Sequence, residues 1–139
     1  MQHTIDKKSL LNFLKKHTWG VLSTVNKKGL PHAAPIYYVV DDDLNLFFIT
    51  PEKTQKSLDI EFQNEVVFTV TDEPRRETVR VEGLAKKEAT LVPQILKELA
   101  KQLNQEGKFV TTLPLLNYKD QEKVGVMIKP KQICMRSYS

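Results

Sequence analysis

Residues 19–50 read WGVLSTVNKKGLPHAAPIYYVVDDDLNLFFIT, and this stretch decides the fold. Its first part, 19–25, is rich in β-forming residues and is followed at 26–29 by a turn sequence that contains glycine. A second strand is predicted over 30–40, and a third over 44–50 after a turn of three aspartates. The stretch therefore predicts a meander of three antiparallel strands.

The predicted second strand contains two prolines, Pro31 and Pro35. Proline has no N–H group to donate to a β-ladder, so within sheets it is confined to edge strands and bulges. Residues 30–40 are therefore expected at an edge of the sheet or in a bulged strand.

The rest of the chain consists of short strands and few helices. A helix is predicted over 5–17, where leucines share one side, and alternation of valines with charged residues predicts a strand over 78–87. The other predicted elements are helices over 52–62 and from Thr90 onward, and strands over 66–71 and from Val124 to Met135.

Six strands with short connections and only three helices favour an antiparallel barrel or rolled sheet with helices at its periphery. A doubly wound α/β sheet needs more βαβ crossovers than the predicted order β-β-β-α-β-β-α-β provides. Closing the sheet also removes its edges. The predicted fold class is therefore mainly β, within α+β, with six antiparallel strands.

Length and composition fit one domain that covers residues 1–139. The chain weighs 16.0 kDa and has 40% apolar and 27% charged residues, which is typical of a globular protein. A net charge of +4 is far below the charge density of a dedicated nucleic-acid binder, and no apolar run approaches the roughly 18 residues of a membrane span. The lone Cys134 excludes an internal disulfide, and the lysine-rich start lacks a secretory h-region. A cytoplasmic protein without nucleic-acid or membrane partners is expected.

Candidate chemistry concentrates in the segment 50–56, TPEKTQK, which joins a predicted strand end to a predicted helix start. Free backbone N–H groups and the positive end of the helix dipole lie at such a place. Lys53 and Lys56 oppose that dipole, so they favour an anion, such as a phosphate, bound beside them and the hydroxyls of Thr50 and Thr54. The alternative interpretation is a capped helix whose lysines are only solvated.

No other pattern in the sequence indicates a catalytic or metal site. His3, His17 and His32 lack the i, i+4 spacing of a metal pair, so no metal is expected. No Gly-x-Ser-x-Gly motif occurs and no residue stands out as a general acid or base, so the catalytic residues are unknown. The pair Tyr37-Tyr38 is compatible with core packing, with a dimer contact or with a flat ligand.

Three segments, in this order, resemble the pyridoxamine 5′-phosphate oxidase-like family of FMN-binding split β-barrels. They are WGVLSTV and PHAAPIYY within 19–38, LFFIT and KTQK within 46–56, and VRVEG at 79–83. The resemblance covers about residues 5–88, with a matching final strand at 123–138. It implies a six-stranded antiparallel split β-barrel with peripheral helices, assembled as a homodimer with FMN at the subunit interface.

The resemblance also implies which residues bind the cofactor. Thr50, Thr54 and Lys56 match the family's hydroxyl and lysine positions that hold the 5′-phosphate of FMN. Lys53 belongs to the same segment, and Gln55 stands where an arginine is common in the family. The other implied contacts are Pro35, Ile36 and Ile49 along the isoalloxazine ring, and Thr78 where the family often has a glutamine near the flavin.

Two departures from the family pattern bear on the activity. The second strand reads AAPIYY at 33–38 without basic residues, and the chain ends QICMRSYS at 132–139 without the Trp…Arg-Leu-x-Pro ending of true pyridoxamine phosphate oxidases. The vitamin B6 substrate apparatus is therefore missing. The resemblance then implies an FMN-binding oxidoreductase with another, unknown substrate and electron donor.

Two alternatives stay open from the sequence. One is a non-catalytic protein that carries, stores or senses FMN or haem, although scattered histidines give poor support to an axial haem ligand. The other is a reductase that uses the deazaflavin F420, whose longer tail would need more basic residues along the cleft. Residues 106–121 match no motif and are interpreted as part of a substrate entrance.

Overall fold

A computed structural model describes residues 6–105 and 122–138, in which strands predominate. The helices are α1 Lys7–Lys16, α2 Gln55–Phe62 and α3 Val92–Gln105, the last preceded by a 3₁₀ turn at Ala89–Leu91. The strands are β1 Trp19–Val25, β2 Pro31–Tyr37, β3 Val39–Val40, β4 Leu46–Pro51, β5 Glu65–Asp72, β6 Glu77–Glu88 and β7 Lys123–Ser137.

All seven strands belong to one antiparallel sheet with the order β2-β1-β5-β6-β7-β4-β3. The strands at the two ends of this order, β2 and β3, follow each other in the chain and are separated only by Tyr38. The sheet must therefore curl until its end strands lie close together, which makes a barrel that is open between β2 and β3. The predicted class, a mainly β antiparallel split barrel with peripheral helices, is confirmed.

The barrel has seven strands rather than six because the predicted second strand breaks at Tyr38. The Tyr38 ring is buried, and its hydroxyl donates a 2.6 Å hydrogen bond to the carbonyl of Leu14 in α1. Its backbone N–H donates to the carbonyl of Thr18. Residues 31–37 therefore pair with β1 at the sheet edge, as the prolines predict, while 39–40 pair with β4.

Buried apolar residues alternate with more exposed residues along the strands, and the inward-facing side chains fill the barrel with one apolar core. Phe68, Val79 and Val81 are completely buried in it, and Leu10 and Leu14 of α1 pack against the same cluster. Burial of each such side chain contributes roughly 1.5–3 kcal/mol to folding. The alternation of β6, visible in the sequence, thus separates an inner from an outer face.

A second, smaller core lies between β4 and α3. Ile49 of β4 packs against Ile95 and Leu99 of α3, and Tyr37 contacts this cluster as well. The i, i+4 spacing of Ile95 and Leu99 is the pattern that predicts the helix. No described helix is long and apolar enough to span a membrane. The segment 106–121, interpreted above as a substrate entrance, lies outside the described residues.

Candidate functional site

The predicted phosphate segment lies where β4 ends and α2 begins. Pro51 still pairs with Lys123 of β7, and the N–H of Thr54 donates to the Pro51 carbonyl at 3.2 Å, which closes a turn. The helix therefore begins at Gln55 rather than at residue 52 as predicted. Thr54, with an extended backbone, is its N-cap residue.

The first turn of α2 offers three backbone N–H donors. The first hydrogen bond of the helix runs from the N–H of Leu58 to the carbonyl of Thr54, at 3.1 Å. The N–H groups of Gln55, Lys56 and Ser57 have no acceptor among the described residues, and the Thr54 side chain does not cap them. These groups lie at the positive end of the helix dipole and are available to an anion.

The two threonine hydroxyls of the segment are paired. Oγ1 of Thr50 lies 2.8 Å from Oγ1 of Thr54, and Thr54 Oγ1 donates to the carbonyl of Pro51 at 3.0 Å. Thr50 is completely buried, whereas Thr54 is partly exposed. Thr54 is therefore the residue of the pair that a ligand can approach, and the buried Thr50 holds its hydroxyl from the interior.

The side chain of Lys56 is half-buried in the first turn of α2. Within residues 6–105 and 122–138 its ammonium makes no hydrogen bond or ion pair. Desolvation by burial lowers the pKa of Lys56 below its ordinary value, since no described counter-charge offsets the loss of water. An anion bound here would supply that counter-charge. Lys53, in contrast, is exposed on the preceding turn.

Gln55 is engaged with a neighbour on its own helix. Its Nε2 donates to Oδ1 of Asp59 at 2.7 Å, while Oδ2 of Asp59 lies 2.8 Å from Thr24 Oγ1 and 2.7 Å from His32 Nδ1. Burial alone would raise the pKa of Asp59, but the hydrogen bonds from His32, Gln55 and Thr24 hold it below its ordinary value. The side-chain amide of Gln55 is thus occupied by Asp59, and only the backbone N–H of Gln55 is available to a ligand at the start of α2.

The residues Thr24, His32 and Asp59 were not predicted from the sequence. They come from β1, β2 and α2, and they meet because Thr24 and His32 are cross-strand partners beneath the helix. Only the i, i+4 spacing of Gln55 and Asp59 gives a local signal for this network. Asp59 is 1% exposed, so the network fastens the helix to the β1–β2 hairpin.

The residues predicted along a flat ring flank the opening of the barrel. Pro35 is exposed on the edge strand β2. The side chains of Ile36 and Ile49 are 8% and 3% exposed, in the main and the second core respectively. Tyr37, which follows Ile36, packs against the cluster of Ile49 and so brings β2 close to β4. A ligand in the opening would therefore meet backbone atoms of 35–36 and the ring of Pro35.

Thr78 is not brought together with the other predicted residues. It pairs with Arg136 near one end of β7, whereas Thr50 pairs with Val124 near the other end. Those two partners are twelve residues apart, which corresponds to about 40 Å along the strand at ~3.3 Å per residue. Within one chain, Thr78 and Thr50 therefore lie against opposite ends of β7.

Across the described ranges, no cluster of three or more His, Cys, Asp or Glu side chains is arranged to hold a metal ion. The first turn of α2 instead combines backbone N–H donors with the cationic side chain of Lys56. Donors and a cation arranged in this way can bind an anion.

Comparison with known families gives one match that spans most of the chain. The family model described as pyridoxamine 5′-phosphate oxidase matches residues 7–132. Among curated proteins, no sequence is a significant match to this chain.

Solved structures share the fold at low sequence identity. A conserved hypothetical protein of Mycobacterium tuberculosis is 20% identical with a TM-score of 0.79, and the match covers 99% of this chain and 89% of that one. A FAD-binding protein of Mesorhizobium loti is 17% identical with a TM-score of 0.71, covering 100% and 99% of the two chains. An F420 reductase is 21% identical with a TM-score of 0.69, covering 88% and 93%. At these identities the likeness shows the fold alone.

Proposed function

Because the chain belongs to the pyridoxamine 5′-phosphate oxidase family, we propose that it is a small FMN-binding oxidoreductase, with residues 1–139 as a single domain. The observation that carries this proposal is the half-buried side chain of Lys56, which has no described partner and belongs to the same first turn of α2 as three backbone N–H groups without a described acceptor. These are the donors that a phosphate monoester needs. Solved structures of the same fold that are named as F420 reductase and FAD-binding protein support a flavin-type cofactor.

In this proposal the first turn of α2 holds the 5′-phosphate. Lys56 supplies the charge, and the N–H groups of residues 55–57 supply aligned donors. Thr54 turns its hydroxyl proton from the Pro51 carbonyl to a phosphate oxygen, while the buried Thr50 keeps that hydroxyl in place. Lys53 lies at the exposed rim, where solvent screens its charge and makes its contribution smaller.

The open side of the barrel would receive the ring system. Pro35 and the backbone of Ile36 form one wall, and the buried Ile49 supports the other from within the second core. These apolar residues orient the ring and exclude water from it. Bound FMN supplies hydride or electron transfer, which no side chain of the protein provides by itself.

We further propose that the protein works as a homodimer whose cofactor site is shared. Thr78 resembles a family position near the flavin, yet it lies at the opposite end of β7 from the partner of Thr50. A cofactor site shared between two chains would let Thr50 of one chain and Thr78 of the other contact the same cofactor. The single cysteine of the chain fits a cytoplasmic location, where thiols stay reduced.

The proposed substrate is not pyridoxamine phosphate, because strand residues 33–38 carry no cation that could bind the phosphate of that substrate in addition to the phosphate of FMN.

Mass spectrometry of the ligand released from purified protein tests the cofactor directly: FMN is expected, and a haem with a Soret band would overturn the proposal. Reduction of the bound flavin by NADH or NADPH, followed by turnover with an acceptor, then separates an oxidoreductase from a carrier. A flavin that no donor reduces would favour the carrier.

A further inference from the structure

A groove lies between helix α3 and the short hairpin of strands β3 and β4. Its volume is about 370 Å³, at the small end of the range for small-molecule sites. Val39 and Phe47, which are cross-strand partners, line it from the hairpin, and Leu91 and Ile95 line it from the 3₁₀ turn and α3. We call this cavity the α3 groove. It adjoins the second core, because Ile95 belongs to that core.

The apolar side chains of the α3 groove are not fully covered by the protein. Val39, Phe47 and Leu91 pack against the second core, yet each is only partly buried. Because all three also line the groove, apolar surface faces it from both the hairpin and the 3₁₀ turn. A ligand with an apolar part would be stabilised by removing this surface from water.

The charge of the α3 groove is negative. Its two charged lining residues within the described ranges are Asp41, directly after β3, and Glu98 of α3, and neither makes an ion pair there. Their hydrogen bonds come from neutral groups: Asp41 accepts from the backbone and side-chain amide of Asn45, and Glu98 accepts from Nε2 of Gln94 at 3.1 Å. Neutral donors do not cancel the two negative charges.

Lysines close to the α3 groove leave this charge uncompensated. Lys7 and Lys15 of α1 reach the aspartate turn at 41–43, but they pair with its second and third residues, at 3.1 and 3.5 Å, and not with its first. Lys101 lies one helical turn after Glu98, is exposed and makes no described ion pair with it. An occupant that complements the groove therefore carries a positive group.

We propose that the α3 groove binds a small apolar cation, such as an arylalkylamine. Its apolar part lies against Phe47 and Leu91, and its ammonium group pairs with Glu98 in the field of Asp41. A neutral apolar molecule would leave both carboxylates without a counter-charge, and an anion would be repelled by them. This site is separate from the proposed cofactor site, because it uses no residue of the segment 50–62.

The test is a titration of the purified ¹⁵N-labelled protein, followed by amide chemical shifts, with three probes that share a phenyl ring. They are phenethylamine, the neutral 2-phenylethanol and the anionic 3-phenylpropionate. We expect phenethylamine to bind roughly fivefold more tightly than 2-phenylethanol, the upper end for one exposed ion pair, and 3-phenylpropionate to bind most weakly. The shifted amides should lie at 39–41, at Phe47 and at 91–98.

Substitutions of Glu98 test the role of charge without disturbing the core, because its side chain is only half-buried on α3. Glu98→Gln keeps the length of the side chain and should remove most of the preference for phenethylamine over 2-phenylethanol. Glu98→Lys should make 3-phenylpropionate bind more tightly than phenethylamine. Glu73→Gln, at an exposed acid in the turn between β5 and β6, removes the same charge elsewhere and should leave the preference unchanged.

Three results would overturn the inference. They are equal affinity of the wild type for phenethylamine and 2-phenylethanol, amide shifts that lie outside the α3 groove, and an equal loss of preference in Glu73→Gln. If phenethylamine instead lowers the sedimentation mass of the protein, the groove is a contact between two copies and the inference also fails. Protein that binds phenethylamine in the groove but releases no FMN would contradict the proposed function and support this inference.

Discussion

Nδ1 of His32 lies 2.7 Å from Oδ2 of Asp59, so one buried carboxylate joins the edge strand β2 to helix α2. The same carboxylate accepts hydrogen bonds from Thr24 of β1 and from Gln55 in the first turn of the helix. The helix start that offers the free N–H groups is thereby fixed to the β1–β2 hairpin. The candidate site thus depends on a network that does not itself need to contact a ligand.

Removing this carboxylate should destabilise the whole domain. Asp59→Ala removes the acceptor of the buried Thr24 hydroxyl and of the donors of His32 and Gln55, which are more exposed. We expect a loss of about 2–4 kcal/mol in the free energy of unfolding, measured by urea denaturation. Asp43→Ala removes an exposed carboxylate that pairs with Lys7 and should change stability by less than about 0.5 kcal/mol. Similar losses in both variants would contradict the role of the network.

The contribution of Asp59 should depend on pH in one direction. Its pKa is lowered in the folded protein, so the unfolded chain binds a proton first as the pH falls. The stabilisation is complete above the ordinary carboxyl pKa, about 3.9, and is lost at lower pH. The difference in unfolding free energy between wild type and Asp59→Asn should therefore be constant from pH 7 to 5 and shrink below about pH 4. A difference that stays constant to pH 3 would show that the charge of Asp59 is not what stabilises the fold.

The shared cofactor site can be tested with hybrid dimers. Lys56→Ala and Thr78→Trp each damage both sites of their own homodimer, the first at the phosphate and the second at the ring. If each site takes Lys56 from one chain and Thr78 from the other, a hybrid of the two variants has one doubly damaged site and one intact site. Differently tagged chains, purified as a hybrid, should then bind one FMN per dimer with wild-type affinity.

Two outcomes would contradict site sharing. A hybrid with two weakened sites would place both residues on the same chain's cofactor. A sedimentation mass equal to the single 16.0 kDa chain at micromolar concentration, with flavin bound, would exclude the dimer altogether. A hybrid made from two differently tagged wild-type chains is the control for subunit exchange.

Much of the fold follows from local sequence signals. The alternation of residues 78–87 and the turn at 26–29 predict strands that the structure contains, because a period of two is imposed by a sheet with one buried face. Three short segments also indicate the family, which the match over residues 7–132 confirms. The sequence does not predict the strand break at Tyr38, because the apolar run around it looks like one continuous strand. The break depends on a hydrogen bond from the Tyr38 hydroxyl to the carbonyl of Leu14 in another element, α1.

The candidate site was predictable only in part. The sequence indicates a helix start with hydroxyls and lysines at 50–56, since those signals are local. It does not show that Thr50 is buried behind Thr54, or that Gln55 is bonded to Asp59, because both depend on how α2 packs on the barrel. The separation of Thr78 from Thr50 depends on strand order, which no single segment encodes.

The measurement that tests the central claim most directly is the affinity of the protein for FMN and for riboflavin, which lacks the phosphate. The account predicts that wild type prefers FMN, and that Lys56→Ala weakens FMN about 10- to 150-fold, the worth of one charge-assisted hydrogen bond. The Lys56→Ala variant should bind riboflavin as tightly as the wild type does. Because Lys53 is exposed, Lys53→Ala should weaken FMN binding less than Lys56→Ala does. Equal affinity of the wild type for FMN and riboflavin would contradict a phosphate site at the start of α2.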